Sequence, residues 1–320
     1  MTLIYILFFV GFALLIKGAD LLVDGASSLA RRIGVSSLVI GLTVVAFGTS
    51  APEFIVNIFA SFNGNTDIAI GNIIGSNICN ILLILGISAL IYPLAVQKGT
   101  VWKEIPFSFL AVIVVALMAN DVFLDNGPLS ALTRIDGFIL LLFFVIFLYY
   151  IFSISKVKSS DVVEAAPRSY SLWKALLMIG GGLLGLLLGG KWVVDGAVAF
   201  AASIGVSQAL VGLTIVAVGT SLPELATSAV AAYKKNADIA VGNIVGSNIF
   251  NIFWILGASA VIRQLPFSQT LMVDVLMLVI ATFLLFASMY IGKKHVLERW
   301  QGVCFILIYV AYIVYLINRG

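Results

Sequence analysis

Charge is what this chain has least of. Only 10% of its 320 residues are charged and 62% are hydrophobic, where a soluble domain carries about 25% charged residues. A surface so poor in charge does not stay dissolved, so composition overrides the two soluble domains that length alone suggests and places the chain in a lipid bilayer. The net charge is +3, and no basic stretch is interleaved with aromatics, so no nucleic-acid partner is expected. The one histidine, His295, sits in a basic loop, and the two cysteines, Cys79 and Cys304, lie in separate apolar segments. No zinc or redox spacing results, and without a histidine or cysteine cluster neither a zinc nor a copper centre nor a prosthetic group is expected. No serine–lysine or aspartate pair stands out within the apolar segments, and Asp274 lies near the end of one, so the chain is not read as an enzyme. The first apolar segment lacks a basic lead and a small-residue cleavage site, and is expected to be a retained helix.

What the chain has in abundance is apolar stretches of the length, about 20 residues, that spans a bilayer. Ten are read, at roughly 3–24, 36–62, 68–92, 104–120, 134–154, 172–192, 206–233, 238–262, 269–291 and 300–318. Lys17 and Asp20 interrupt the first, and a lysine near a helix end can snorkel to the headgroups. With the N-terminus outside, the inner loops collect Arg31, Arg32, Lys98, Lys103, Lys156, Lys158, Arg168, Lys174, Lys234, Lys235, Lys293, Lys294 and Arg299. The outer side keeps only Arg134, Lys191, Arg263 and Arg319. Basic residues favour the cytoplasmic side, so both termini are expected outside and the polar 155–171 loop inside, as a linker too short for a regulatory domain.

The two halves repeat each other at an offset of 171 residues. IGLTVVAFGTSAPE at 40–53 matches VGLTIVAVGTSLPE at 211–224, and DIAIGNIIGSNICNILLILG at 67–86 matches DIAVGNIVGSNIFNIFWILG at 238–257. Such self-similarity marks a duplicated unit. Each unit has five spans, an odd number, so the second must cross in the opposite sense. The charges agree: Arg31 and Arg32 correspond to uncharged Ala202 and Ser203, while Lys234 and Lys235 correspond to Asn63 and Gly64. The expected fold is therefore an all-α membrane protein of ten transmembrane helices, built as two inverted-topology five-helix repeats, a plan common among secondary transporters. The halves are 1–154, with its repeated core at about 34–86, and 172–320, with its core at about 205–257.

The repeated motifs carry the chemistry. Glu53 and Glu224 lie inside apolar spans, where an ionisable group is costly and usually faces a polar pathway. Pro52 and Pro223 lack an N–H and loosen the preceding turn, partly freeing carbonyls over Ala46 to Thr49 and Ala217 to Thr220. Unwound backbone at that depth is tolerated where it lines a cavity. Thr49, Ser50, Thr220 and Ser221 add hydroxyls. Asn72, Ser76 and Asn80, like Asn243, Ser247 and Asn251, are spaced four apart and share one helix face. Asn72, Asn77, Asn243 and Asn248 also suit interhelical hydrogen bonding. Carboxylate, hydroxyl, amide and backbone oxygens suit hard cations such as Na+ and Ca2+. Two glutamates give a formal −2, which one Ca2+ or two Na+ would balance. Gly181, Gly185 and Gly189, with Gly182 and Gly189 corresponding to Gly11 and Gly18, form a ridge that permits close helix approach or sliding.

These motifs, GTSAPE with GNIIGSNICN and GTSLPE with GNIVGSNIFN, resemble the two alpha-repeats of the sodium/calcium exchanger family of calcium/cation antiporters, over essentially the whole chain. The resemblance implies a Ca2+/Na+ antiporter working by alternating access. Glu53 and Glu224 would be the chief ligands, assisted by Ala46, Thr49, Ser50 and Ser76 and by Ala217, Thr220, Ser221 and Ser247. The first and sixth spans would slide across a core of the second, third, seventh and eighth. Family members often carry aspartate at the position of Asn251, whose partner is Asn80; here both are asparagine, which leaves Na+ number, a K+ requirement and a proton role open. Lacking the large intracellular insert of animal exchangers, the chain resembles the compact prokaryotic type, in an inner membrane. A Ca2+/H+ or other divalent cation/H+ antiporter is the alternative reading, with a cation channel further off.

Overall fold

The computed structural model describes residues 2–124, 129–156, 170–203 and 217–319. With no water to satisfy it, backbone in a bilayer closes its hydrogen bonds within each segment, and nearly all the described chain is helical. The helices that build the bundle are α1 (Thr2–Ile33), α2 (Ser37–Thr49), α3 (Ala51–Asn63), α4 (Thr66–Ile91), α5 (Lys98–Met118), α6 (Arg134–Ser155), α7 (Leu172–Ser203), the short α8 (Ala217–Thr220), α9 (Leu222–Tyr233), α10 (Ala237–Ile262), α11 (Gln269–Ser288) and α12 (Arg299–Arg319). Among the described residues eight helices are long and apolar enough to cross a membrane, and nine spans result if the bent pair α2–α3 counts as one. The expected 206–233 span begins outside the described residues; its described part is α8 and α9. Large side chains exposed around the bundle, such as Phe9, Phe123, Ile135, Tyr149, Trp173 and Leu177, give it the apolar surface of an integral membrane protein.

The core is α4 and α10, the matching helices of the two repeats. In their apolar windows 78% and 94% of residues are buried, against 28–39% in the other long spans. Both contain a π-helical stretch at matching positions, Cys79–Ile84 and Phe250–Leu256, an irregularity frequent at functional sites.

Outside this core α1 and α7 pack on each other in antiparallel register. A Cβ added to Gly11 would lie 2.9 Å from the Gly189 carbonyl, one on Gly18 2.8 Å from the Gly182 carbonyl, and one on Gly25 2.9 Å from the Ala175 carbonyl. Two helical turns separate the successive contacts, so any side chain there would push the backbones apart. The ridge differs from the expected one by a residue: Gly182, not Gly181, faces α1, and a Cβ on Gly181 would meet nothing within 4 Å. Seven residues return to the same helix face almost in phase, which is why Gly182 and Gly189 align.

Three further features depart from the sequence reading. α1 runs to Ile33 and α7 to Ser203, beyond the expected ends at 24 and 192. Polar residues close the hydropathy window there without breaking the helix, and α1 stops only where Gly34 adopts φ +75°. Four two-residue strands, β1 (Leu94–Ala95), β2 (Ala131–Leu132), β3 (Leu265–Pro266) and β4 (Val296–Leu297), pair β1 with β4 and β2 with β3. These clasps tie loops of different halves at the two ends of the bundle. At the β1–β4 end Gln97 Nε2 donates to Asp238 Oδ2 at 2.7 Å, and Lys234 Nζ reaches Asp20 Oδ1 at 2.6 Å and Asp24 Oδ1 at 2.7 Å. Elsewhere the Tyr150 hydroxyl donates to buried Glu104, and Arg319 pairs with Asp274.

Candidate ion-binding site

The site forms where two broken helices meet. Thr49 ends α2, Ser50 sits at the break with φ −79° and ψ 7°, and α3 leaves at 48° with Pro52 in its first turn. Ser221 has φ −87° and ψ 6°, and Pro223 occupies the first turn of α9. Proline is tolerated at that position because its missing N–H would be unpaired anyway. The break therefore delivers each glutamate to the first turn of a helix, Glu53 in α3 and Glu224 in α9, where the positive end of the helix dipole favours an anion. Both are buried, at 1% and 0% exposure.

The two repeats complete each other's carboxylates. Ser50 Oγ donates to Glu224 Oε1 at 3.0 Å and Ser221 Oγ to Glu53 Oε1 at 3.2 Å. Within each repeat Ser76 Oγ donates to Glu53 Oε1 and Ser247 Oγ to Glu224 Oε1, both at 3.4 Å. The threonines cross over as well: Thr49 Oγ1 donates to Asn243 Oδ1 at 3.0 Å and Thr220 Oγ1 to Asn72 Oδ1 at 3.3 Å. Hydroxyl protons are thus committed to protein acceptors. The second carboxylate oxygens, Glu53 Oε2 and Glu224 Oε2, are buried with no hydrogen-bond partner among the described residues.

Of the expected ligands, the structure brings together Glu53, Ser50 and Ser76 of one half with Glu224, Ser221 and Ser247 of the other, and sets Thr49 and Thr220 beside them. Two fit less simply. The Ala46 carbonyl was expected to be loosened, but it accepts from the Ser50 N–H at 3.0 Å and has Thr49 Oγ1 3.3 Å away. The helix holds up to the break itself, because Pro52 removes only the bond that would end on Gly48. Ala217 opens α8, and its side chain lies outside the described residues. Asn80 and Asn251 bond asparagines and not the glutamates: Asn80 Nδ2 donates to Asn248 Oδ1 at 3.0 Å and Asn251 Nδ2 to Asn77 Oδ1 at 2.9 Å.

A supporting layer was missed in the sequence. Asn72 Nδ2 donates to Asn57 Oδ1 at 2.6 Å, and Asn57 Nδ2 to the Ala69 carbonyl at 2.8 Å. In the other half Asn243 Nδ2 donates to Ser228 Oγ at 3.0 Å, and Ser228 Oγ to the Ala240 carbonyl at 3.3 Å. Asn57 and Ser228 stand one turn after the glutamates, a four-residue spacing of polar groups on an apolar helix that carried the signal. Among the described residues no three histidine, cysteine, aspartate or glutamate side chains gather into a metal cluster. The site is a pair of carboxylates framed by neutral oxygens, as suits a hard cation.

The sequence matches the profile of the sodium/calcium exchanger protein family over residues 3–153 and 174–318. It is 38% identical over 311 residues to a putative antiporter, CaxA, of Alkalimonas amylolytica, covering 95% of each chain. It is 32% identical to the sodium/calcium exchanger MaX1 of Methanosarcina acetivorans, covering 98% of this chain and 99% of that one. Among solved structures, the sodium-calcium exchanger NCX_Mj soaked with Na+ and Ca2+ superposes with a TM-score of 0.84 at 36% identity, covering 98% of both chains.

Proposed function

The chain belongs to the sodium/calcium exchanger family, and from that premise we propose that it exchanges Ca2+ for Na+ by alternating access through the Glu53–Glu224 site. The observation that carries the reading is the reciprocal pair of bonds, Ser50 to Glu224 and Ser221 to Glu53. They bind two anionic groups from opposite halves into one oxygen-lined centre. The ligands are Glu53 and Glu224, with Thr49, Ser50, Ser76, Thr220, Ser221 and Ser247 around them; Ala46 and Ala217 contribute carbonyls, and Asn80 and Asn251 amide oxygens.

The charge count explains exchange without leak. Two carboxylates balance one Ca2+ or two Na+. An empty site leaves two buried anions unpaired, at a cost of several kcal/mol even after relaxation, so the protein crosses between its two faces only with a cation aboard. The mobile body is α1 with α7, whose antiparallel glycine contacts join them more closely to each other than to the core.

The inverted ten-span plan is supported by the antiparallel register of α1 and α7, by the reciprocal bonds of matching residues, and by the clasps. β1–β4 joins two loops that the positive-inside rule assigns to the cytoplasm, and β2–β3 two that it assigns outside. On this reading residues 1–154 and 172–320 are the halves of an inner-membrane protein whose termini lie outside and whose 155–171 linker is cytoplasmic.

The test is 45Ca2+ uptake into proteoliposomes loaded with Na+, with K+ or choline, or with an acid interior. Uptake that requires internal Na+ is expected. Uptake driven by the proton gradient alone would move the protein to Ca2+/H+ antiport, and uptake with no counter-ion would make it a channel.

A further inference from the structure

An asparagine side chain has two unlike ends, an acceptor oxygen and a donor NH2 group, and near a cation only the oxygen is useful. Asn80 and Asn251 occupy matching positions one turn beyond Ser76 and Ser247, whose hydroxyls bond Glu53 and Glu224, and each lies in a π-helical stretch. Both are buried, and Asn80 Oδ1 and Asn251 Oδ1 have no hydrogen-bond partner among the described residues. Glu53 Oε2 and Glu224 Oε2 share that property. Four buried, unpartnered oxygens, two from each half, therefore belong to the broken helices and the paired helices packed on them, which Ser76 and Ser247 join through their bonds to Glu53 and Glu224. An amide free to turn, one helical turn beyond a serine that bonds a carboxylate, would be drawn to offer its NH2 group to that anion, because a hydrogen bond to an ionised acceptor is the stronger one. It would then meet a cation with the wrong end.

A chain of bonds prevents that turn. Asn77 Nδ2 donates to the main-chain carbonyl of Asn248 at 3.2 Å. A carbonyl only accepts, so this contact fixes which end of the Asn77 amide faces Asn248. Asn77 Oδ1 is left to accept from Asn251 Nδ2 at 2.9 Å. The NH2 group of Asn251 is held there, and its oxygen is the free end. In the mirror position Asn248 Oδ1 accepts from Asn80 Nδ2 at 3.0 Å, which leaves the Asn80 oxygen free. Each clamp comes from the opposite repeat.

We propose that Asn77 and Asn248 are positioning residues for cation binding, holding the amides of Asn251 and Asn80 so that each turns its oxygen, and not its NH2 group, toward the transported cation. The proposal rests on the reading that Glu53 and Glu224 bind Ca2+. Neither clamp touches the ion; each acts through its partner.

The test exploits aspartate, whose two oxygens are equivalent, so that a residue fixing the flip of Asn251 becomes dispensable once it is replaced. Ca2+ binding by the purified full-length protein in detergent is measured calorimetrically for Asn77→Ala, Asn251→Asp and the double variant. Asn77→Ala alone is expected to weaken binding by about tenfold or more, the size of a lost bond to a charged group. In the Asn251→Asp background the same change is expected to alter Kd less than about threefold. An equal loss in both backgrounds would reduce Asn77 to a packing residue, and an unchanged Kd for Asn77→Ala would remove its role altogether; either overturns the proposal. If Asn77→Ala does not fold, Asn248→Ala with and without Asn80→Asp asks the same question of the mirror pair. Glu224→Gln measured alongside separates the two levels: Ca2+ binding retained there overturns the glutamate assignment, whereas binding lost there with no coupling between positions 77 and 251 overturns only the clamp.

Discussion

Glu53 and Glu224 sit in nearly interchangeable surroundings, whereas Lys234 and its counterpart Asn63 do not. The serine bonds to the glutamates and the crossed threonine bonds come in twins: Ser50 with Ser221, Ser76 with Ser247, Thr49 with Thr220. At the ends of the bundle the twins diverge. Lys234 ties α9 to Asp20 and Asp24 of α1, and Asn236 Nδ2 donates to Ser27 Oγ at 3.1 Å beside it. The residue corresponding to Asp20 is Lys191, which pairs along its own helix with Asp195 at 2.6 Å. On the proposed reading, duplication has been kept where the ion needs oxygens from both sides, and relaxed where the two ends would face different compartments. Equality of the halves is thus a property of the site, and inequality a property of the loops.

That contrast is open to experiment. The largest effect is expected from the carboxylates: Glu53→Gln and Glu224→Gln should each abolish 45Ca2+ uptake into proteoliposomes, by about a hundredfold or more, because each neutralises half of the charge that balances Ca2+ in a medium where charge is weakly screened. If one variant retained substantial transport, the site would belong to a single half. Next come the crossed serines. Ser50→Ala and Ser221→Ala each remove one hydroxyl bond to a carboxylate, about 1.5–3 kcal/mol. Their KM values for Ca2+ should rise by about tenfold or more and agree with each other within about threefold; a large effect in one and none in the other would break the symmetry.

Third is the α1–α7 seam. A Cβ on Gly182 would stand 2.7 Å from the Gly18 carbonyl, while one on Gly181 meets nothing within 4 Å. Gly182→Ala should destabilise the protein by about 1–3 kcal/mol, read as a lower melting temperature in detergent, and Gly181→Ala should be nearly neutral. Smallest is the end of the bundle. Lys234 is 25% exposed, and Asp20 and Asp24 are 43% and 41% exposed, so Lys234→Met should cost about 1 kcal/mol or less. The loss should fade at high salt. Lys191→Met, which breaks only a pair within one helix, should cost less still; a larger loss at Lys191 would reverse the contrast between the ends.

Much of this was legible in the chain itself. The positions of nine spans, the 171-residue offset and the two glutamates follow from hydropathy and self-similarity, which are local signals. Partner choice was not legible: nothing in either motif says that Ser50 serves Glu224 and not Glu53, a bond across 174 residues. The ends of α1 and α7 were misread because polar residues close the hydropathy window near 24 and 192, while the helices continue to Ile33 and Ser203. Asn57 and Ser228 escaped notice because they differ between the halves, and identity was the guide. Gly182 was displaced to Gly181 because a spacing of four follows one helix face only approximately, whereas the antiparallel partner selects a spacing of seven.

The most direct test of the central claim is to locate the cation. Crystals of the protein soaked in Ca2+, or in Sr2+ for its anomalous signal, should show one strong peak between Glu53 and Glu224, with carboxylate oxygens of both at about 2.3–2.6 Å for Ca2+. A peak held by one glutamate alone, or by neither, would contradict a site built jointly by the two repeats.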